Sequence, residues 1–403
     1  MNVPALRFQS DNGVEYPKWE PKKIGDFVLS HKGGAPLKPK DFEKNGDFEV
    51  IPKKAISSGG FLLLDEKEPT YCTDLFFQSN HRSVVDKSYL ITTLRDLVPS
   101  GPNIGFIVKY SNNKKYILAQ GVYGIQINEN LRDDFLIQYS NTDKYRELMQ
   151  TMMVGSTQVH IRNTDFFNTP VHIPSVKEQT KIANFLTAVD EKIQKLNQKH
   201  DLLTQYKKGV MQQIFSQELR FKDDDGRDFP DWEEKEIGEV FKVTRGNVLA
   251  MPLVSESKTN THKYPVYSSQ TKNNGLSGYY NEYLYENSIT WTTDGANAGD
   301  VNFRDGKFYC TNVCGVLINK DGHANSCIAA MINAVSRRYV SYVGNPKLMN
   351  GVMAKIAIDF PCVKEQTKIA NFLTAIDEKI TNTQSQLEAV KQYKQGLLQK
   401  MFV

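Results

Sequence analysis

Two stretches of the chain carry apolar side chains at alternating steps of four and three. In the first, Ile182, Leu186, Val189, Ile193 and Leu196 lead on to Leu203, Val210 and Ile214. In the second, Ile369, Leu373, Ile376 and Ile380 lead on to Leu387, Val390, Leu397 and Met401. That spacing predicts the seam of a coiled coil. His200 and Lys207 interrupt the first seam, and Thr383 and Lys394 the second. Pro174 and Pro361 stand just before each stretch, where a helix cannot yet have begun. Each predicted helix has about 38 residues and spans on the order of 57 Å. Neither is apolar enough along its length to be a membrane span.

The rest of the chain has a different texture, with short β-like runs between Gly, Pro and Asn turns. The first set is Phe61–Leu64, Tyr89–Leu94, Ile104–Lys109, Tyr116–Ala119 and Tyr123–Ile127, followed by a helical piece at Asp133–Met153 and the polar loop Val154–Gln158. The second set is Tyr264–Tyr267, Tyr279–Tyr280, Ser288–Thr293, Val301–Phe303, Lys307–Tyr309 and Val313–Ile318, followed by helical Ala324–Ser341 and the loop Gly344–Lys347.

The two helical stretches are copies. Val176–Ile193 returns as Val363–Ile380 with one change, Val189 to Ile376. The frame then holds without a gap: Tyr206–Lys207 matches Tyr393–Lys394, Gly209 matches Gly396, Gln212 matches Gln399, and Phe215 matches Phe402. A second repeat, at its own constant offset, leads into each half. Leu6–Arg7–Phe8, Gly13, Pro17, Trp19–Glu20 and Ile24–Gly25 recur as Leu219–Arg220–Phe221, Gly226, Pro230, Trp232–Glu233 and Ile237–Gly238. Repeats of this kind define the fold before anything else does. In mid-chain the lead-in segment follows the first helix directly, so the chain reads as a circle opened between Val403 and Met1. Antiparallel helices, β-rich domains at opposite ends and a pseudo-twofold axis follow as expectations. Two amphipathic helices in separate cores are the plainer alternative. The division is 1–173, a lead-in plus first variable domain; 174–215, the first helix; 216–360, a lead-in plus second variable domain; and 361–403, the second helix.

Composition changes the picture little. A net charge of +4 and a pI near 8.5 permit a nucleic-acid partner without requiring one. Five scattered cysteines and no signal-like segment point to a reducing cytoplasm. Cys310 and Cys314 lack a convincing second pair for zinc and read as strand or core residues. No phosphate loop, dinucleotide turn or amino-methyltransferase segment is present. The acidic runs Asp133–Asp134 and Asp223–Asp225 read as solvated turns, and His160, His172 and His323 have no partner spacing. No metal site and no catalytic residue are expected, and any reaction would be supplied by other subunits.

Base edges are read by Arg, Lys, Asn and Gln, and phosphates by Lys, Arg, hydroxyls and backbone amides. Loops of that kind put Lys32, Arg82, Lys114, Lys115, Thr157 and Gln158 forward in the first variable domain. In the second they put forward Arg245, Asn247, Ser269, Gln270, Thr271, Lys272, Asn273, Asn274, Arg337 and Arg338. Gln270–Asn274 is the strongest of these, with five consecutive hydrogen-bonding side chains.

The duplicated Pro-x-x-x-Glu-Gln-x-x-Ile-Ala-x-Phe-Leu helix, the Pro-x-Trp-Glu lead-ins and the circular layout together resemble the specificity subunit of type I restriction-modification systems. The resemblance covers the whole chain. It implies an α+β fold: two β-rich target recognition domains separated by two long antiparallel coiled-coil helices, with a pseudo-twofold, circular internal repeat. It further implies a non-catalytic subunit that reads the two halves of a split site in double-stranded DNA through the major groove. The helices would set the gap between the halves. The implied partners are two modification subunits that methylate adenine N6 with S-adenosylmethionine, and restriction subunits that use ATP and Mg2+. No cofactor is expected on this chain and no membrane partner. By the same resemblance, Glu178, Gln179, Ile182, Phe185, Glu365, Gln366, Ile369 and Phe372 dock the modification subunits. The alternative for both Glu–Gln pairs is a cap on the helix start. Lys207 and Lys394 are expected to run their stems along the seam. Two other readings of the whole chain are a scaffold of protein-binding domains on a coiled-coil spacer, and an enzyme with an unfamiliar carboxylate site.

Overall fold

The computed structural model describes residues 4–269 and 272–403. It divides into two compact units, one formed by Met1–Gln198 with Gln384–Val403, the other by Lys199–Thr383. Both long helices, Val176–Phe215 and Val363–Met401, contribute a segment to each unit. The proline before each is buried, and the helix begins two residues later.

Beside its helix segments and two short strand pairs, the first unit contains two larger sheets. One is antiparallel, in the order Val28–Gly33, Val122–Ile127, Leu90–Thr93, Ile107–Val108. The other runs Phe42–Glu43, Tyr71–Cys72, Phe48–Ile51, Tyr116–Leu118, Val84–Val85, with Val50–Ile51 parallel to Ile117–Leu118. Its main core joins Trp19, Ile24, Leu90, Ile107, Phe135 and Leu136 to Ile182, Ala183 and Leu186 from the start of the first helix, and to Leu397, Leu398 and Met401 from the end of the second. The two segments are therefore antiparallel. Asp190 and Lys394, farther in from those ends, meet at 2.6 Å.

The second unit has one six-stranded sheet, in the order Lys242–Arg245, Cys314–Ile318, Tyr285–Thr292, Val301–Cys310, Tyr264–Tyr267, Leu276–Tyr280. Its core joins Trp232, Ile237, Ile289, Trp291, Leu317 and Ile328 to Val210 and Ile214 of the first helix and to Ile369 and Leu373 of the second. Lys207 meets Asp377 at 2.6 Å, the duplicate of the Asp190–Lys394 pair. The alternative of two separate amphipathic helices gives way to paired ones, since each core holds segments of both.

The first four strands of this sheet stand in the same antiparallel order as the four-stranded sheet of the first unit. One glycine closes the first strand in each. Gly34 N–H donates to Val122 O at 2.8 Å, and Gly246 N–H to Cys314 O at 3.0 Å. A Cβ on Gly34 would lie 1.8 Å from Ala119 O, and one on Gly246 would lie 2.2 Å from Cys310 O. Only glycine allows the backbones that close.

Local differences from the sequence expectation have physical reasons. Phe61–Leu64 forms no strand; it follows Gly59 and Gly60, both at positive φ, and only Phe61 bridges to Lys109. The helical piece at Asp133–Met153 is two helices, Asp133–Ser140 and Asp143–Met152, because Thr142 caps the second through Tyr145 N–H. Val301–Phe303 and Lys307–Tyr309 are one strand, Val301–Cys310, that continues through Gly306. No helix among the described residues is long and apolar enough to cross a membrane.

Candidate nucleic-acid interface

Each half is closed by the same clip. A lead-in strand pairs antiparallel with the strand before the helix: Glu20–Lys23 with Pro170–Ile173, and Glu233–Glu236 with Ala357–Phe360. Arg7 grips Glu178 through Nε and one terminal nitrogen, both at 2.8 Å, and donates to Pro17 O. Arg220 grips Glu365 at 3.1 and 2.8 Å and donates to Pro230 O at 2.7 Å. Lys181 reaches Asp11 at 2.6 Å and lies over Tyr16; Lys368 reaches Asp224 at 2.7 Å and lies over Phe229. Leu6 N–H donates to Lys400 O, near the end of the second helix, as Leu219 N–H donates to Gln213 O near the end of the first. Asp224 lies in an exposed turn, as expected, and from there forms one arm of the clip.

The expected docking residues need correction. Glu178, Gln179, Glu365 and Gln366 are fully buried within the chain, and Ile182 and Ile369 belong to its cores. They present nothing to a partner. Both glutamates stand in the first turn of their helices, as the capping alternative has it, and their carboxylates turn to an arginine of the lead-in segment. The glutamines fasten the variable domain to the helix start. Gln179 donates to Asn130 O and Pro174 O and accepts from Arg132 N–H. Gln366 donates to Pro361 O and His323 Nδ1 and accepts from Asn325. Burial pushes the His323 pKa down, so the ring stays neutral and able to accept. Phe185 and Phe372 are half-buried against Phe8 and Phe221.

In the first domain the predicted contact residues fall in two places. Lys32 Nζ donates to Val84 O at 2.5 Å and lies over Tyr89. Exposed Arg82 sits in the turn just before Val84, and exposed Lys115 precedes the strand that pairs with it. Asp86 is held below the usual carboxylate range, first by hydrogen bonds from Ser88 and then by Lys32 and Lys115 nearby. Lys114 leans toward Glu49 at 3.8 Å. Thr157 and Gln158 lie apart, in an exposed bend before Val159–His160.

In the second domain the candidates converge. Arg245 is the last residue of the first strand, whereas Lys32 is the last but one of its own; the Arg245 Nε is buried and has no partner among the described residues. Exposed Asn247 bridges to Thr311, whose hydroxyl donates to Ser268. Ser268 N–H reaches Gly275 O, closing a loop in which Asn273 and Asn274 both sit at φ 52°. Asn tolerates that left-handed backbone better than other side chains bearing a Cβ. Ser269 O accepts from Asn297, next to Asp300, which pairs with Arg337 at 2.5 Å. Arg338 is exposed beside it. Gln270 and Thr271 lie outside the described residues, and of Lys272 only the backbone is described. Sequence reasoning missed Arg304, which is buried in the strand Val301–Cys310 and donates to Asn274 O at 2.8 Å. Its signal was a cation flanked by an alternating strand pattern. The cysteines are buried at strand ends and in helix or core positions, Cys362 being half-buried; burial raises the Cys314 thiol to about 11. No cluster of metal-ligating side chains occurs among the described residues.

Residues 16–205 and 230–392 match the family described as the type I restriction modification DNA specificity domain, and the chain belongs to that family. A candidate type I specificity subunit N-terminus from Mycoplasma pneumoniae is 40% identical over 140 residues, 34% of this chain and 73% of that one. The MpnII type I restriction enzyme specificity subunit of the same organism is 32% identical over 154 residues, 38% of this chain and 45% of that one. The matched region therefore spans less than half of the second relative. The type I S subunit of M. genitalium superposes with a TM-score of 0.65 over 100% of this chain and 99% of its own, at 16% identity, a likeness of fold.

Proposed function

We propose that this specificity subunit reads a split site in double-stranded DNA, one half through each variable domain, and carries no catalytic step itself. The observation that carries the reading is the duplication: one clip and one four-strand order are built twice and present unlike polar side chains. A common frame with divergent loops is what two different half-sites require. Lys32 with Arg82 and Lys115 forms the basic edge of one domain. Arg245, Asn247, Asn273 and Arg337 form that of the other. Phosphate contacts by such groups give orientation, and base-edge contacts give sequence.

The helices hold modification subunits that transfer methyl groups to adenine N6 from S-adenosylmethionine, and the assembly recruits ATP- and Mg2+-dependent restriction subunits. The docking face is drawn from positions that are identical in both copies and exposed in both: Lys177 and Lys364, Asn184 and Asn371, Glu191 and Glu378, Lys192 and Lys379. The fold does not need those side chains, so their identity fits one partner bound twice. The length of the helices sets the number of unread base pairs.

The test is binding of the subunit–modification complex to DNA bearing its split site. Arg82→Ala with Lys115→Ala should weaken binding through one half, and Asn247→Ala with Arg338→Ala through the other. Removing each of these side chains should cost on the order of 1 kcal/mol, and wild-type affinity should fall steeply with salt. Salt-independent binding, or equal weakening at both halves from either pair, would count against two separate readers.

A further inference from the structure

In the second domain a cavity of about 200 Å3 lies beside the Ser268–Gly275 loop. Arg304 lines it, together with Ser268, Asn302 and Asn333. Arg304 is 8% exposed. Its Nε donates to Thr290 Oγ1 at 2.9 Å and one terminal nitrogen to Asn274 O at 2.8 Å. Its guanidinium carbon stands 3.8 Å from the Tyr267 ring centre. Stacked and tied on one side, with the Tyr267 hydroxyl as a further hydrogen-bonding neighbour, the group has a fixed orientation.

No carboxylate balances this charge. Among the described residues no acid lies within ion-pair distance of Arg304, and the undescribed positions carry none. Asp300, the cavity's own acid, is taken by Arg337. A buried charge without a counter-charge is costly. Burial accordingly pushes this guanidinium's pKa down. A strut for the loop would need only a neutral donor. No described residue supplies a counter-charge to it.

We propose that the cavity is a subsite for a group with two adjacent hydrogen-bond acceptors, and that Arg304 binds it through the N–H groups left over from Thr290, Asn274 and Tyr267. Two DNA components offer that pair, the oxygens of a backbone phosphate and the O6/N7 edge of a guanine. A planar, pre-oriented guanidinium suits either. The inference rests on the DNA-reading function proposed above and names one of its contact points.

The experiment uses the full chain with its modification subunits and two variants, Arg304→Met and Asn302→Leu. The second makes one wall of the cavity apolar at unchanged side-chain size and leaves every bond of Arg304 in place. Both should weaken binding roughly tenfold through one half-site and leave the other half unchanged. A phosphate contact predicts uniform weakening across sequences and a salt slope smaller by about one. A guanine contact predicts relaxed preference at a single base of that half-site. Inorganic phosphate and guanosine, which carries the base without a phosphate, titrated into the full chain, should raise the melting temperature of the wild type in one of the two cases and of neither variant. If Arg304→Met does not fold, Asn302→Leu decides. A wild-type complex that reads a split site, with both variants indistinguishable from it, overturns the subsite alone. A wild-type complex that reads no split site overturns the function, and the two titrations then decide the subsite: stabilisation lost in both variants supports it, and no stabilisation overturns it.

Discussion

Glu365 is fully buried and accepts three hydrogen bonds, two from Arg220 and one from the Trp232 indole at 2.9 Å. Glu178, its duplicate, accepts only the Arg7 pair, and the Trp19 indole N–H is left without a partner among the described residues. Removing one partner of a buried pair strands the other charge, at a cost of about 3 kcal/mol where the pair is fully enclosed. Both arginines retain some exposure, which lowers the figure. Glu365→Gln should therefore destabilise its unit more than Glu178→Gln destabilises the other, by about 1 kcal/mol for the extra bond, as read by urea unfolding of each variant. His323 gives a pH signature. Its folded pKa lies below the unfolded value of 6.5, so its contribution is present above pH 6.5 and is lost as pH falls through and below that value. Protonation would also set an N–H against the Gln366 amide donor. The second unit should unfold at lower urea at pH 5.5 than at pH 7.5, and His323→Asn should shrink that difference; an unchanged difference would remove His323 as its source. At this scale the sequence was partly legible. It singled out the Glu–Gln pairs because they repeat, but repetition does not say which way a side chain points. Their burial depends on Arg7 and Arg220, far away in sequence, and on a variable domain folding back over the helix start.

The helices were the most legible elements, because a step of four and three over so many turns has few alternatives. The seam's polar interruptions were legible as positions but not as pairs. Lys394 and Asp190 are each about nine-tenths buried, and Asp190 also accepts from Gln138 at 2.7 Å. Lys207 and Asp377, their duplicates, are far more exposed. Lys394→Met alone should cost about 3 kcal/mol, with much of it restored when Asp190→Leu is added, whereas Lys207→Met should cost under about 1 kcal/mol. Equal losses from the two lysine variants, measured by thermal or urea unfolding, would mean that burial does not separate the pairs. The sheets were less legible. Most strands were found, yet their shared order was not, because pairing joins runs as distant as Val28–Gly33 and Val122–Ile127. The two glycines that close the first strand in each sheet, Gly34 and Gly246, look in sequence like ordinary loop residues.

For the whole molecule, the circular reading rests on bonds that the chain makes twice. The lead-in segment docks on the end of a helix in both halves, once across the mid-chain connection and once between residues far apart in sequence. The variable domains carry little mutual sequence similarity over that frame, and their contact residues were legible only as polar loops. Which of those residues cluster depended on the sheet; Arg304 was hidden among strand residues. The central claim is that two domains read two different half-sites for a shared methylation machinery. It is tested most directly by assembling the chain with its modification subunits and mapping N6-methylated adenine in the DNA they modify. The account predicts a single split motif, with one methylated adenine in each half and a fixed number of unread base pairs between. Methylation at one continuous motif, or none with all subunits assembled, would contradict it.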